Sequence, residues 1–379
     1  MAEIEGQCSS QFDELKSVFS ASIDSGADLG GSVAIAHRGE VVVDIWGGHC
    51  DEQRNNPWRS DTITNVFSST KTMASLCALM LLDRGELDVD LPVARYWPEF
   101  AAAGKAEIPV RDLLGHTAGL AGWEHPMTLE DLYDWDTCTQ RLAAQTPWWT
   151  PGSASGYHAF TQGYLVGEVV KRISGRTLGR FFADEVAGPL GADFYIGLPV
   201  ELDSRVSLVI PPEVALPVSA DHDSPSYKTF MNPPLDARFP HAAAWRRAEI
   251  PAANGHGNAR GAVLAQAAIS HGGEFNGVRL LSPKTIDRIF EEQANGKDIV
   301  LGIPLRFGIG YGLASEAVPF IPNANGRICF WGGWGGSLVI NDLDNELTFA
   351  YMMNKMGEGT VGDARGAALI EAMYRGLAK

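Results

Sequence analysis

Paired cysteine is the first thing the sequence lacks. Its five cysteines (Cys8, Cys50, Cys77, Cys138, Cys329) are odd in number, scattered and without any Cys-x-x-Cys, which reads as free thiols in a reducing compartment rather than a disulfide framework or a zinc site. The nine histidines are dispersed with no metal-ligand spacing, so no metal and no cofactor is expected. No apolar run reaches the roughly 18 residues of a membrane span. The start, Met-Ala-Glu-Ile-Glu-Gly-Gln-Cys, has neither the basic region nor the apolar stretch of a signal peptide; the expected location is cytoplasmic, with no membrane partner. Basic residues are in deficit, 30 against 46 acidic for a net charge of −16, which argues against a nucleic-acid partner. Gly-x-Ser-x-Gly is absent, and no alternating β/α pattern is present, so the Ser-His-Asp chemistry of α/β-hydrolases is not indicated.

What is present is a chain of 379 residues with 45% hydrophobic content, enough for a large core. Residues 10–24 space Phe12, Leu15, Val18 and Phe19 as an amphipathic helix, and two β-rich runs, Ser32 to Ala36 and Val41 to Trp46, follow around a turn at 37–40. From Glu86 to Ile250 short helical runs alternate with Pro, Gly and Trp, and 202–250 reads as long loops placed to line a cleft. A helix pattern resumes at Asn258. Strand signals return at 307–313, at 327–340 and at 346–352, the last two joined by a turn at 341–345, before an Ala-rich helix over 362–379. Strands at both ends with helices between predict an α+β architecture: residues 1–85 and 251–379 form one domain around an antiparallel sheet, and 86–250 form a mostly helical domain.

The stretch with chemistry in it is Thr64-Asn65-Val66-Phe67-Ser68-Ser69-Thr70-Lys71-Thr72, at the head of a helix whose buried face is spaced as Met73, Leu76, Cys77, Met80 and Leu81. Positions i and i+3 share a helix face, so Lys71 reaches the Ser68 hydroxyl. A serine becomes a nucleophile only when a neighbour takes its proton, and a buried lysine with a lowered pKa can do so. Alone, Ser-x-x-Lys is weak, since serine before an apolar run is also a common helix cap. Two further elements give it weight. Tyr157, in a Gly-flanked loop after Pro151-Gly152, is a candidate proton relay. Phe330-Trp331-Gly332-Gly333-Trp334-Gly335-Gly336-Ser337 offers backbone that a substrate can approach closely.

In this order, with His116-Thr117-Ala118-Gly119-Leu120 between them, these motifs resemble the serine β-lactamase-like superfamily, and within it the family VIII carboxylesterases related to class C β-lactamases. The resemblance runs from about Gly31 to the C-terminal helix. It implies a five-stranded antiparallel sheet flanked by helices, an all-helical lobe and a site between them. It also implies that Ser68 accepts the acyl group, that Lys71 and Tyr157 move protons, and that the backbone N–H groups of Ser68 and Trp334 form the oxyanion hole.

The departures concern substrate. Where β-lactamases and peptidases carry Lys or His before Thr-Gly or Gly-Gly, this chain has Trp331-Gly332-Gly333, and tryptophan cannot pair with a carboxylate. The family's Tyr-x-Asn is Tyr157-His158-Ala159 here, without an amide for an acylamino side chain. Trp331, Gly332, Gly333 and His158 are therefore the expected substrate-contacting positions. The function expected is hydrolysis of small, short-acyl carboxylic esters through an acyl-Ser68 intermediate, with a small-molecule ester as the substrate. The alternatives are a β-lactamase or D-amino-acid peptidase, an acyltransferase on the same fold, or a non-catalytic binding protein. Oligomeric state is not legible.

Overall fold

The computed structural model describes residues 2–318 and 320–378. Nine strands make the principal sheet: β1 (Ile4–Cys8), β2 (Gly30–His37), β3 (Glu40–Gly48), β4 (Ala294–Lys297), β5 (Pro304–Phe307), β6 (Gly312–Leu313), β7 (Ile328–Gly332), β8 (Leu338–Asp342) and β9 (Leu347–Met353). Their spatial order is β1-β3-β2-β9-β8-β7-β6-β5-β4, antiparallel throughout. N- and C-terminal segments thus meet at the β2–β9 pair, where Val33 lies opposite Tyr351.

The sheet is wider than the five strands expected. The additional strands are at its edges, and their sequence explains why they are hard to read: β1 and β4 are mostly exposed and show no apolar alternation, so backbone pairing to β3 and β5 alone recruits them. The 327–340 run is two strands, β7 and β8, with a turn over 333–337 between them, and Asn341 and Asp342 belong to β8 rather than to the following turn.

Alternation along the central strands builds two cores. Val33 and Ile35 of β2 join a cluster with Phe12, which caps α1 (Asp13–Asp24), and with Leu15 and Phe19 of that helix, while Ala34 and Ala36 face the opposite layer. Burying each such phenylalanine contributes about 1.5–3 kcal/mol. The opposite layer holds α2 (Thr70–Asp83), α3 (Thr161–Ser174) and the Ala-rich α4 (Ala259–Ser270), whose N-cap Asn258 accepts a hydrogen bond from the Gly261 N–H at 2.8 Å. The C-terminal helix α5 (Ala364–Leu377) packs on α1; Lys379, at the end of the helix expected there, and Met1 lie outside the described residues. Residues 86–250 carry α3, several shorter helices and loops, together with strands Phe194–Tyr195 and Val206–Ser207 of a second sheet. That small sheet positions the site, because Ile63–Asn65, one of its two inner strands, leads directly into Ser68.

Helix α2 is buried on more than the one face its apolar spacing predicts. Every residue from Thr70 to Leu81 is buried, so the helix is enclosed on all sides as a core helix of a large protein. Among the described residues no helix is long and apolar enough to cross a membrane.

Candidate active site

Val66 closes the small sheet by donating its N–H to Gly255 O at 2.9 Å. Phe67 then takes a φ of 43°, a left-handed conformation that a bulky residue adopts only when its surroundings hold it there. Its ring packs 5.4 Å from that of Trp334. After this turn, Ser68 is the single residue between Thr62 and Leu81 that is not buried. The chain therefore presents one hydroxyl to a cavity and encloses everything around it.

Lys71 is 1% exposed. Its Nζ lies 3.2 Å from Ser68 Oγ, 2.7 Å from Ala159 O and 3.0 Å from Ala252 O. Burial holds its pKa well below the usual 10.5. A neutral amine has two N–H donors and one lone pair. The two carbonyls can only accept, so they take both donors and leave the lone pair for the Ser68 hydroxyl. This is the arrangement a general base needs.

Tyr157 is 5% exposed, and Lys71 Nζ lies 4.7 Å from its ring centroid. Its oxygen accepts a hydrogen bond from Trp331 Nε1 at 3.3 Å. Burial pushes the phenol pKa upward, offset in part by its hydrogen bonds with Ser68 and Trp331. The tyrosine is thus a neutral O–H group poised beside the serine. Asp298 fixes its backbone: the buried carboxylate accepts from the N–H groups of Tyr157, Val300 and Leu301 at 3.1, 3.0 and 2.9 Å. From the other side, His116 O accepts from the Gly156 N–H at 3.0 Å, and His116 Nδ1 accepts from the His158 N–H at 3.1 Å. Burial keeps the His116 imidazole neutral, its pKa well below 6.5.

The glycine-rich turn closes the site. Ser337 Oγ donates to Val66 O at 2.8 Å and lies 2.9 Å from Ser69 Oγ, which ties this turn to the serine turn. Gly333 sits where a Cβ would fall 2.1 Å from Val66 O, so only bare backbone fits. The N–H groups of Gly333, Gly335 and Gly336 bond to Ser337 O, Gly359 O and Gly333 O. The cavity of about 40 Å³ in front of Ser68 has Tyr157 and Thr360 as its other polar wall groups, Phe67, Phe160, Ala253 and Leu301 among its apolar ones, and no charged side chain in its lining.

Ser68, Lys71, Tyr157 and Trp334 therefore come together, with Trp334 in the cavity wall. The other expected contact positions are elsewhere. His158 is fully buried, its Nδ1 2.6 Å from Gly156 O and its Nε2 accepting from the Leu120 N–H at 3.1 Å; burial lowers its pKa to about 3. With both ring nitrogens committed to backbone, it has no edge for a ligand. Gly332 and Gly333 are enclosed by protein, and Trp331 is 2% exposed and touches Tyr157 rather than the cavity. Sequence reasoning missed Asp298, which is 141 residues from Tyr157 in the chain, and the wall residues Leu216, Phe230 and Leu235. The only signal for that wall was the reading of 202–250 as cleft-lining loops. Among the described residues no cluster of His, Cys, Asp or Glu is arranged to hold a metal.

Comparison with known proteins identifies the family and the fold. The Beta-lactamase family model matches residues 15–373. Esterase/beta-lactamase LipL of Mycobacterium tuberculosis is 34% identical over 341 residues, covering 86% of this chain and 77% of that protein. The crystal structure of a family VIII carboxylesterase superposes with a TM-score of 0.93 at 41% identity, covering 99% of this chain and 100% of the other. A penicillin-binding protein homolog from Caulobacter crescentus gives a TM-score of 0.93 at 38% identity, with the same coverage.

Proposed function

The chain belongs to the Beta-lactamase family, and from that membership we propose that it is a carboxylesterase acting on small, neutral, short-acyl esters through an acyl-Ser68 intermediate. The observation that carries the reading is the Lys71 amine, held between two carbonyls with Ser68 Oγ as its third neighbour. The name of LipL and the family VIII carboxylesterase structure support an ester as substrate.

These contacts support the following mechanism. Neutral Lys71 takes the Ser68 proton as Oγ attacks the ester carbonyl, and the backbone N–H groups of Ser68 and Trp334 receive the developing oxyanion. Tyr157, kept neutral by burial and oriented by Trp331, passes a proton to the departing alkoxide. Lys71, now protonated, restores the tyrosine proton. Water then repeats the sequence on the acyl-enzyme, with the same groups acting in reverse. The uncharged lining leaves the carboxylate of a β-lactam or peptide without a cation. The small cavity suits a short acyl group.

Replacing Ser68 with alanine tests the reading. The Ser68→Ala protein loses hydrolysis of a p-nitrophenyl short-acyl ester, and the wild type hydrolyses that ester in preference to nitrocefin. Turnover retained by Ser68→Ala overturns the assignment of the nucleophile, and a preference for nitrocefin overturns the choice of ester over β-lactam.

A further inference from the structure

The cavity in front of Ser68 has a thin wall. Leu216, Phe230, Leu235 and Trp334 line that cavity and also line a separate groove of about 680 Å³. Met127, Leu129 and Val218 add apolar side chains to the shared residues of the groove, and its charged lining groups, Glu213, Asp236 and Arg238, are exposed. A space of about 40 Å³ thus lies one side-chain layer away from a space many times larger.

The two ends of an ester are not equivalent here. Tyr157, assigned to protonate the leaving oxygen, lines the cavity but not the groove, whereas Trp334 lines both. An alcohol leaving at the Tyr157 hydroxyl is not directed toward the wall. The acyl substituent is the part of the substrate left to point there. The wall is also carried on short elements: Leu216 lies in an irregular stretch and is partly exposed, Phe230 ends the helix Pro225–Phe230, and Leu235 follows it in a loop.

We propose that Leu216, Phe230 and Leu235 are the acyl-length determinants of this protein, and that the groove behind them is the subsite for the tail of a longer apolar acyl chain once the wall is opened. The proposal rests on the acyl-Ser68 reading above. In the closed arrangement an acyl chain is stopped at the wall. With a wall residue shortened, each further methylene leaves water for the groove, a gain of about fourfold per methylene at full burial.

The test is kcat/KM for p-nitrophenyl acetate, butyrate, octanoate and dodecanoate with the wild type, Leu216→Ala, Phe230→Ala and the double variant, each normalised to the Ser68 sites titrated by a fluorophosphonate. A second series holds the acyl group as acetyl and enlarges the alcohol. The wild type favours the shortest acyl groups. In the variants the octanoate-to-acetate ratio rises by about tenfold or more, with the order of alcohols unchanged. An unchanged acyl-length profile in variants that still titrate overturns the proposal, as does a shift confined to the alcohol series. If Phe230→Ala fails to fold, the partly exposed Leu216→Ala and the wall-thickening Leu216→Trp, which lowers the butyrate-to-acetate ratio, decide the question. Absence of fluorophosphonate labelling in the folded wild type overturns the acyl-Ser68 reading itself, and the proposal with it.

Discussion

Lys71 has two carbonyls and one hydroxyl for neighbours and almost no contact with water, so its protonation state is the main chemical variable at the residue scale. Burial lowers its folded pKa from 10.5. In the proposed mechanism activity needs the neutral amine, so kcat/KM is expected to rise with pH through that lowered value and to fall away on its acid side. Stability has the same sign. Between the lowered folded pKa and 10.5 the unfolded chain holds a proton on Lys71 that the native chain does not, so this group's contribution to stability rises with pH across that window. His158, at about 3, and His116, well below 6.5, stay neutral at ordinary pH. In Tyr157→Phe, kcat falls by about 10²–10⁴-fold while the acid limb stays in place in a pH–rate profile; a limb that disappears with the tyrosine assigns the titration to the phenol. Trp331→Phe keeps an aromatic ring and removes the N–H that Tyr157 accepts. One hydrogen bond is worth about 0.5–1.5 kcal/mol, so steady-state kinetics are expected to show kcat reduced by a few-fold to about tenfold.

At the scale of elements, the site is two turns pressed together, the strained Phe67-Ser68 turn and the glycine turn after β7, joined through Ser337. Gly333→Ala drives a methyl against Val66 O. Overpacking of this kind costs about 1–3 kcal/mol, seen as a lower denaturation midpoint, with esterase activity falling further than stability because the displaced backbone adjoins Trp334, whose N–H the proposed mechanism assigns to the oxyanion hole. Gly366 in α5 is the control. A Cβ there meets nothing closer than 3.7 Å, so Gly366→Ala is neutral or stabilising by about 0.5–1 kcal/mol. Elements with a clear period were legible from sequence: α1 from Phe12, Leu15 and Phe19, and the β2–β3 hairpin around Arg38-Gly39, both at positive φ. Strand β1 was not, because Ile4–Cys8 is an edge strand held by backbone pairing with no buried face of its own. The one-faced pattern read into α2 failed because its intervening Thr72, Ala74, Ser75 and Ala78 are buried too, and small residues contribute little to a hydrophobic period.

On the scale of the whole molecule, the cavity is assembled from segments hundreds of residues apart, with Ser68, Tyr157, Leu301 and Trp334 in one small space. The Ser68–Lys71 pair was legible because one helical turn fixes it. Tyr157 and Trp334 were legible only as members of an ordered set of motifs. Asp298 and the Leu216–Phe230–Leu235 wall left no local pattern, since only tertiary packing brings them to the serine. The net charge of −16 is likewise uninformative about a cavity whose lining carries none. All of these segments converge on one hydroxyl, and acylation of that hydroxyl is the central claim. The direct measurement is to mix the protein with a p-nitrophenyl short-acyl ester, quench in acid within the first turnovers, and locate the adduct by peptide mass analysis. The account predicts one acyl group per chain, on Ser68, absent from Lys71→Ala; turnover with no acyl adduct, or an adduct on another side chain, contradicts it.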